Sequence, residues 1–117
     1  METARVIESL GALAHDHRLA IYRLLVEQGP AGLPAGEIAA RVGLVPSSLT
    51  FHLQHLTRAG LLTQRRVSRQ LFYATDFTVM TALVGYLTEN CCRAAACAPS
   101  CALPRRAPKA RRSKKAA

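Results

Sequence analysis

Sulfur is scarce in this 117-residue chain except in one short stretch. The chain has two methionines and four cysteines, and all four cysteines fall between positions 91 and 101. It has no secretory pattern of basic and then apolar residues, and no apolar run near the roughly 20 residues that span a bilayer. We therefore expect a cytoplasmic protein with no membrane span, whose thiols bind metal or sense oxidants rather than form structural disulfides.

The motifs of common enzyme classes are also missing. The chain contains no glycine-rich phosphate loop, no nucleophile elbow and no set of paired carboxylates. A cysteine-based reductase needs a Cys-x-x-Cys motif on a strand–helix unit, which this chain lacks. We predict that the protein is not an enzyme and that it uses no organic cofactor.

Acidic residues are absent from residues 105–117, which hold seven lysines and arginines. This segment supplies most of the net charge of +9, and it contains no aromatic residue, so we expect it to be disordered. It either aids solubility or attracts phosphate without sequence preference, which raises DNA affinity. We predict a folded domain over residues 1–96 and a basic, cysteine-containing, disordered tail over residues 97–117.

The rest of the chain has the periodicity of a series of helices. The predicted helices cover residues 3–14, 17–28, 35–42, 47–59 and 77 to about 92 or 96. Asp16 and Asp76 are the predicted N-caps of the second and last helices, and Gly43 ends the third. Two runs with hairpin composition, 61–67 and 70–75, precede the last helix. This order predicts a mainly α fold with a small β-hairpin, a winged helix-turn-helix.

The fourth predicted helix has two dissimilar sides. Leu49, Leu53 and Leu56 form an apolar stripe, and mostly short polar side chains lie outside it. Residues 43–69 contain four arginines and no acid. This composition favours contact with base edges and phosphates over the alternative of an ordinary amphipathic surface helix. The predicted DNA contacts are Ser47, Ser48, Thr50, Phe51, His52, Gln54 and His55 on this helix, and Arg65, Arg66 and Arg69 on the hairpin.

Two of these side chains have a second interpretation. Phe51 either touches a thymine methyl group or packs against the hairpin. His52 and His55 are three residues apart, which also allows a metal pair, although no thiol or carboxylate lies nearby in the sequence to complete it. We therefore favour polar contacts for both histidines.

Two motifs carry a resemblance to a known family. They read LAHDHRLAI at residues 13–21 and GLVPSSLTFHLQHL at residues 43–56. Over about residues 9–92 the chain resembles the ArsR/SmtB family of metal- and metalloid-responsive repressors. The resemblance implies a homodimer built on the first and last helices. It also implies that this dimer binds double-stranded operator DNA and releases it when an inducer ion binds.

The best-known metal sites of that family are absent here. Its arsenic-responsive founders carry Cys-Val-Cys on the helix before the recognition helix, where residues 37–41 of this chain hold no cysteine. Its zinc sensors use Asp and His from the last helix, which here offers Asp76 and Glu89 but no histidine. The chain is similar instead to the branch that senses arsenite through cysteines at the end of the last helix.

The cysteine cluster is the remaining candidate for an inducer site. Three thiolates suit As(III) or Sb(III), whereas four suit a tetrahedral ion such as Zn²⁺ or Cd²⁺. We predict that Cys91, Cys92 and Cys97 bind As(III) or Sb(III), with Cys101 as an alternative third ligand or a fourth thiol. A Cd/Pb/Zn thiolate sensor and a cysteine redox sensor of the same fold stay open as alternatives.

Overall fold

The computed structural model describes residues 1–94, which form five helices and one three-stranded sheet. The helices are α1 (Thr3–Leu13), α2 (Asp16–Gln28), α3 (Ala35–Val42), α4 (Pro46–Arg58) and α5 (Phe77–Thr88). The strands are β1 (Leu33–Pro34), β2 (Leu62–Val67) and β3 (Gln70–Thr75). With α3 and α4 as the helix-turn-helix and β2 and β3 as the wing, the predicted winged helix-turn-helix is confirmed.

The turn between α3 and α4 depends on two local breakers. Gly43 follows α3 with a φ of 73°, a left-handed conformation that glycine adopts without strain. Pro46 then occupies the first turn of α4, where its fixed φ suits a helix and its missing N–H is not needed. The predicted helix-turn-helix is therefore confirmed, and α4 begins and ends one residue earlier than predicted.

The start of α2 differs from the prediction. His15 is the N-cap, because its ring Nδ1 accepts the backbone N–H of His17 at 3.1 Å. Asp16 is instead the first helical residue, where a negative charge is favourable near the positive end of the helix dipole. The N-cap assignment of Asp16 is wrong. The assignment of Asp76 is confirmed, since its carboxylate accepts two N–H groups of the first turn of α5 at 3.1 and 3.2 Å.

The sheet contains one strand that the sequence did not predict. The order is β1-β3-β2, and β2 pairs antiparallel with β3 from Leu62↔Thr75 to Val67↔Gln70. Residues 29–34, which lie between the second and third predicted helices, contain a 3-10 turn and then β1, in which Leu33 pairs with Tyr73. Two residues are too few to show an alternation of apolar and polar side chains, so tertiary pairing alone reveals β1.

The core lies among α2, α3, α4 and the sheet. Its largest fully buried apolar side chains are Ile21, Leu25, Ile38, Leu49, Leu53, Leu56 and Leu61. Arg18 is buried beside them, and its Nε donates to the Ala12 carbonyl at 2.6 Å. Since that carbonyl belongs to the last turn of α1, Arg18 ties the beginning of α2 to the end of α1.

The last helix is shorter than predicted. α5 ends at Thr88 rather than near residue 92 or 96, and Asn90 and Cys92 have φ values of 64° and 58°. A right-handed helix cannot contain such residues, and asparagine is among the non-glycine residues that adopt this conformation most readily. The predicted length of the last helix was therefore too great, because the apolar spacing of the sequence continues as far as Cys91.

The chain divides into two compact units, Met1–Leu87 and Thr88–Ala117. Of the second unit, residues 88–94 are described. The predicted domain boundary at residue 96, Cys97, Cys101 and the basic residues after position 104 lie outside the described residues. Within residues 1–94, no helix is long and apolar enough to cross a bilayer.

Candidate nucleic-acid interface and thiol pair

The outward side of α4 is polar and carries no acid. Leu49, Leu53 and Leu56 are buried in the core, and most of the other residues of α4 face outward. The exposed residues of α4 are Pro46, Ser47, Ser48, Thr50, Phe51, Gln54 and Arg58. Hydroxyl, amide and guanidinium groups on one surface can donate to or accept from base edges and phosphates. Arg58 belongs to this face, although it was not among the predicted contacts.

Phe51 stands apart from its neighbours on this face. Its side chain is 59% exposed, so it is not packed into the core, which does not favour the interpretation that it packs against the hairpin. Its ring contacts the ring of His52 edge-on, with 5.7 Å between the centroids. Phe51 is therefore an apolar group held outward on an otherwise polar surface.

His52 does not lie on this face. The sequence placed it outside the apolar stripe, but its side chain is only 8% exposed. That prediction of its position is wrong, because residues 49, 52, 53 and 56 repeat at three- and four-residue steps and so share one side of the helix. Its ring lies 4.8 Å from that of His15 and 5.7 Å from that of His17. We call His15, His17 and His52 the histidine cluster.

The environment of His52 favours a neutral ring. Burial lowers the pKa of His52 below 6.5, and the positive charges of His15, Arg18, His17 and His55 lower it further. Nδ1 of His52 is buried and has no hydrogen-bond partner among the described residues. No group of three or more His, Cys, Asp or Glu in this part of the chain is arranged to hold a metal ion. The metal pair considered for His52 and His55 therefore has no completing ligand there.

His55 lies half-buried one turn before the end of α4. Burial lowers its pKa, as do the charges of Arg18 and Arg58, while Glu8 acts in the opposite direction. A neutral imidazole has one donor and one acceptor nitrogen. His55 thus offers both to a nucleic acid at neutral pH.

The three arginines of the wing are not equivalent. Arg65 donates from Nη2 to the Ala31 carbonyl at 2.7 Å, and its guanidinium lies 4.9 Å from the centroid of the Phe72 ring. Arg66 and Arg69 are exposed and make no side-chain hydrogen bond or ion pair with any described residue. Arg65 therefore supports the sheet, whereas Arg66 and Arg69 have their charges available for phosphate.

The thiol pair consists of Cys91 and Cys92. Their Sγ atoms are 3.5 Å apart, well beyond the roughly 2.0 Å of a disulfide, so they are not bonded to each other. Two sulfurs that bind one soft ion at about 2.3 Å, with an angle of roughly 90–110°, lie about 3.3–3.8 Å apart. An intact helix would have directed adjacent side chains ~100° apart. The left-handed backbone at Asn90 and Cys92 removes that restriction.

Comparison with known proteins identifies the family. Residues 13–65 match the family model of a helix-turn-helix domain. The transcriptional activator HlyU of Vibrio cholerae is 32% identical over 92 residues, which cover 79% of this chain and 82% of HlyU. The match to a solved structure of HlyU covers 79% of this chain and 99% of the HlyU chain, with a TM-score of 0.62. An ArsR-like transcriptional regulator from Rhodococcus sp. RHA1 gives the same TM-score at 25% identity, over 72% of this chain and 76% of that one.

The chain belongs to the ArsR family of transcriptional regulators. Another similar structure is the homodimeric winged helix-turn-helix DNA-binding domain of Mb0332 from Mycobacterium bovis, with a TM-score of 0.59 and 29% identity. The match covers 74% of this chain and 81% of that domain. As an ArsR-family regulator, this protein binds DNA, and the prediction that it is not an enzyme is confirmed.

Proposed function

We propose that this ArsR-family regulator represses transcription as a homodimer on operator DNA and dissociates when As(III) or Sb(III) binds its C-terminal thiolates. The observation that carries the proposal is the pair of sulfurs 3.5 Å apart, three residues after α5 in the chain. Thiolates select soft centres over hard cations, and the spacing suits two ligands on one centre.

Support for operator binding comes from α4 and the wing. The exposed face of α4 lacks acid, and Arg66 and Arg69 extend the positive charge along β2 and its turn to β3. In a helix-turn-helix the second helix enters the major groove, and its first half contacts the bases. This assigns base contacts to Ser47, Ser48, Thr50 and Phe51, and phosphate contacts to the wing.

Support for a homodimer comes from apolar side chains that the fold leaves in solvent. Ile7 and Leu10 on α1 are 65% and 40% exposed, and Leu87 on α5 is 58% exposed. The Thr3 hydroxyl and the Tyr86 phenol lie 2.7 Å apart, which joins these two helices. A second copy that packs against α1 and α5 would remove this apolar surface from water, and the Mb0332 domain is a homodimer of the same fold.

An inducer has to bind the DNA-free state more tightly than the DNA-bound state. The thiol pair is followed in the chain by Cys97 and Cys101, and either of these completes a three-thiolate site. Drawing that segment back to Cys91 and Cys92 changes the backbone directly after the proposed dimer helix. This is the coupling that release from DNA requires.

The redox alternative has one observation of its own. Two adjacent thiols lie close together, and a second solved structure of the related HlyU is described as its reduced form. Oxidation of two thiols to a disulfide would change the same segment without a metalloid. HlyU is named a transcriptional activator, so its name does not support repression by this chain.

The test is a DNA-binding titration of the full-length reduced protein. Operator DNA binding is followed by fluorescence anisotropy while As(III), Sb(III), Cd(II), Zn(II) and peroxide are added in parallel. We expect release by As(III) and Sb(III), and loss of that response in Cys91→Ser and Cys92→Ser variants that still bind operator DNA normally. Release by peroxide alone would favour the redox sensor, and release by Cd(II) or Zn(II) alone would favour the divalent-ion sensor.

A pair of matched variants identifies the third ligand. Cys97→Ser and Cys101→Ser each remove one thiol from the same segment. The variant that loses the As(III) response marks the third ligand. If both variants respond normally, the double variant Cys97→Ser/Cys101→Ser decides between two thiols that replace each other and a two-thiol site that is sufficient.

A further inference from the structure

We propose that Phe51 recognises the 5-methyl group of a thymine in each half of the operator. This inference rests on the proposed operator contacts of α4 and goes beyond them, since it assigns one base-reading contact to one side chain. The phenyl ring of Phe51 is an exposed apolar group on the otherwise polar outward face of α4.

The position of Phe51 fits a base contact. It lies in the first half of α4, one turn after Ser47 and three residues before Gln54, and all three are exposed. Residues at three- and four-residue steps share one side of a helix. Because the first half of a recognition helix approaches the base edges, Phe51 lies at the centre of the predicted reading surface.

The exposure of Phe51 is not explained by packing within the fold. The ring is 59% exposed, and no other residue from Pro46 to Arg58 is an exposed large apolar side chain. Its neighbours carry hydroxyl, amide and guanidinium groups, which do not bury a phenyl ring. The edge-on contact with the buried ring of His52 gives Phe51 a fixed neighbour on its helix side, and its outer side remains open.

The chemistry of the major groove selects the partner. Thymine alone among the four bases presents a methyl group there, whereas the other bases present ring nitrogens, carbonyl oxygens and amino groups. A phenyl ring set against a polar edge would desolvate that edge without replacing its hydrogen bonds, which is unfavourable. A thymine methyl group instead buries apolar surface against the ring.

The test begins with the operator bound by the full-length dimer, selected from random duplex DNA. Each thymine of the selected site is then replaced in turn by deoxyuridine, which keeps the base pair and removes only the methyl group. Burial of one methyl group predicts about a fourfold loss of affinity at one thymine of each half-site, and about fifteenfold when both are replaced.

Variants of Phe51 connect this loss to the side chain. In Phe51→Ala the affinity for the thymine operator falls, and deoxyuridine at the same position has no further effect. Phe51→Leu, which keeps an apolar group, retains part of the sensitivity. Val67→Ala is the matched control, because Val67 is an exposed apolar residue on the wing, and this variant keeps the full sensitivity.

Two results distinguish failure of this inference from failure of the operator contacts. If selection yields a defined operator but no thymine is coupled to Phe51, the methyl contact is wrong and α4 still reads DNA. If selection yields no preferred sequence, sequence-specific reading by α4 and the Phe51 contact both fail.

Discussion

His52 is a buried imidazole without a carboxylate partner. Its nearest titratable neighbours are His15 and His17, and Arg18 and His55 add further positive charge. Glu8 acts on His55 and is not among the charges that act on His52. Protonation of the cluster therefore places like charges together where α4 meets the beginning of α2.

The pH dependence of stability follows from this arrangement. The pKa of His52 is lower in the folded than in the unfolded protein, so the unfolded chain binds more protons between the two values. We expect the free energy of unfolding to be highest above pH 6.5 and to fall as the pH drops from 6.5 to the lowered pKa, by at most about 1.4 kcal/mol per pH unit for one site, and to level off below it. Urea unfolding between pH 8 and pH 5 measures this, and His52→Gln should flatten the curve. An unchanged curve in that variant would assign the dependence to other groups.

Arg66 and Arg69 form no ion pair with any described residue. Replacing both by glutamine should weaken binding to all DNA sequences alike, because phosphate contacts carry no sequence information. The slope of log affinity against log salt should fall by about 3.6, because the proposed dimer carries four such contacts, two in each half-site. Binding isotherms at several salt concentrations measure this slope. Arg23→Gln, on the exposed side of α2, is the control, and an unchanged slope in the double variant would contradict the role of the wing.

Gly32 determines whether β1 can pair with β3. Its φ is 69°, and a Cβ at this position would collide with the carbonyl of Tyr73 on β3. We expect Gly32→Ala to lower the free energy of unfolding by more than about 2 kcal/mol, since left-handed strain and the collision add. Urea unfolding measures the change. Gly36→Ala is the matched control, because a Cβ in that helix meets nothing within 4 Å and should stabilise α3 by about 0.5–1 kcal/mol. Equal stability of the two variants would contradict the role of Gly32.

Local signals predicted most of the elements but not all of their ends. The predicted bounds of the third helix and of the second hairpin run are those of α3 and β3. Gly43 and Pro46 are strong breakers, so the turn between α3 and α4 could be read from the chain. The end of α5 could not be predicted, because the apolar spacing of its sequence continues past Thr88 and past Asn90, whose φ is left-handed. The strand β1 could not be predicted either, because its two residues form a strand only through their pairing with β3.

The proposed dimer provides a test of the assembly. Ile7→Glu on α1 would place a charge in the apolar contact between copies, so we expect a monomer by analytical ultracentrifugation. Because two half-sites are then no longer held by one molecule, operator affinity should fall more than tenfold. Leu19→Glu on α2, at a residue of similar size that is 44% exposed, is the control and should leave the dimer intact. A dimeric Ile7→Glu variant would exclude the proposed surface.

Of the two interpretations of the basic segment 105–117, solubility or phosphate attraction, the second implies affinity for DNA without specificity. A protein lacking these residues should bind all DNA more weakly and with a smaller salt slope, while its preference for the operator over random DNA persists. Competition binding with both DNAs measures the ratio. Loss of the preference would favour instead a general DNA binder that relies on its tail.

The sequence by itself determined the order of helices and strands, the acid-free character of α4 and the confinement of the thiols to one segment. These properties follow from apolar periodicity, local breakers and composition, which act over a few residues. Only the tertiary structure decided that His52 points inward beside His15 and His17, that Arg65 binds the Ala31 carbonyl, and that Phe51 stays in solvent. These facts depend on which distant parts of the chain pack together, and they decide which side chains remain available to DNA.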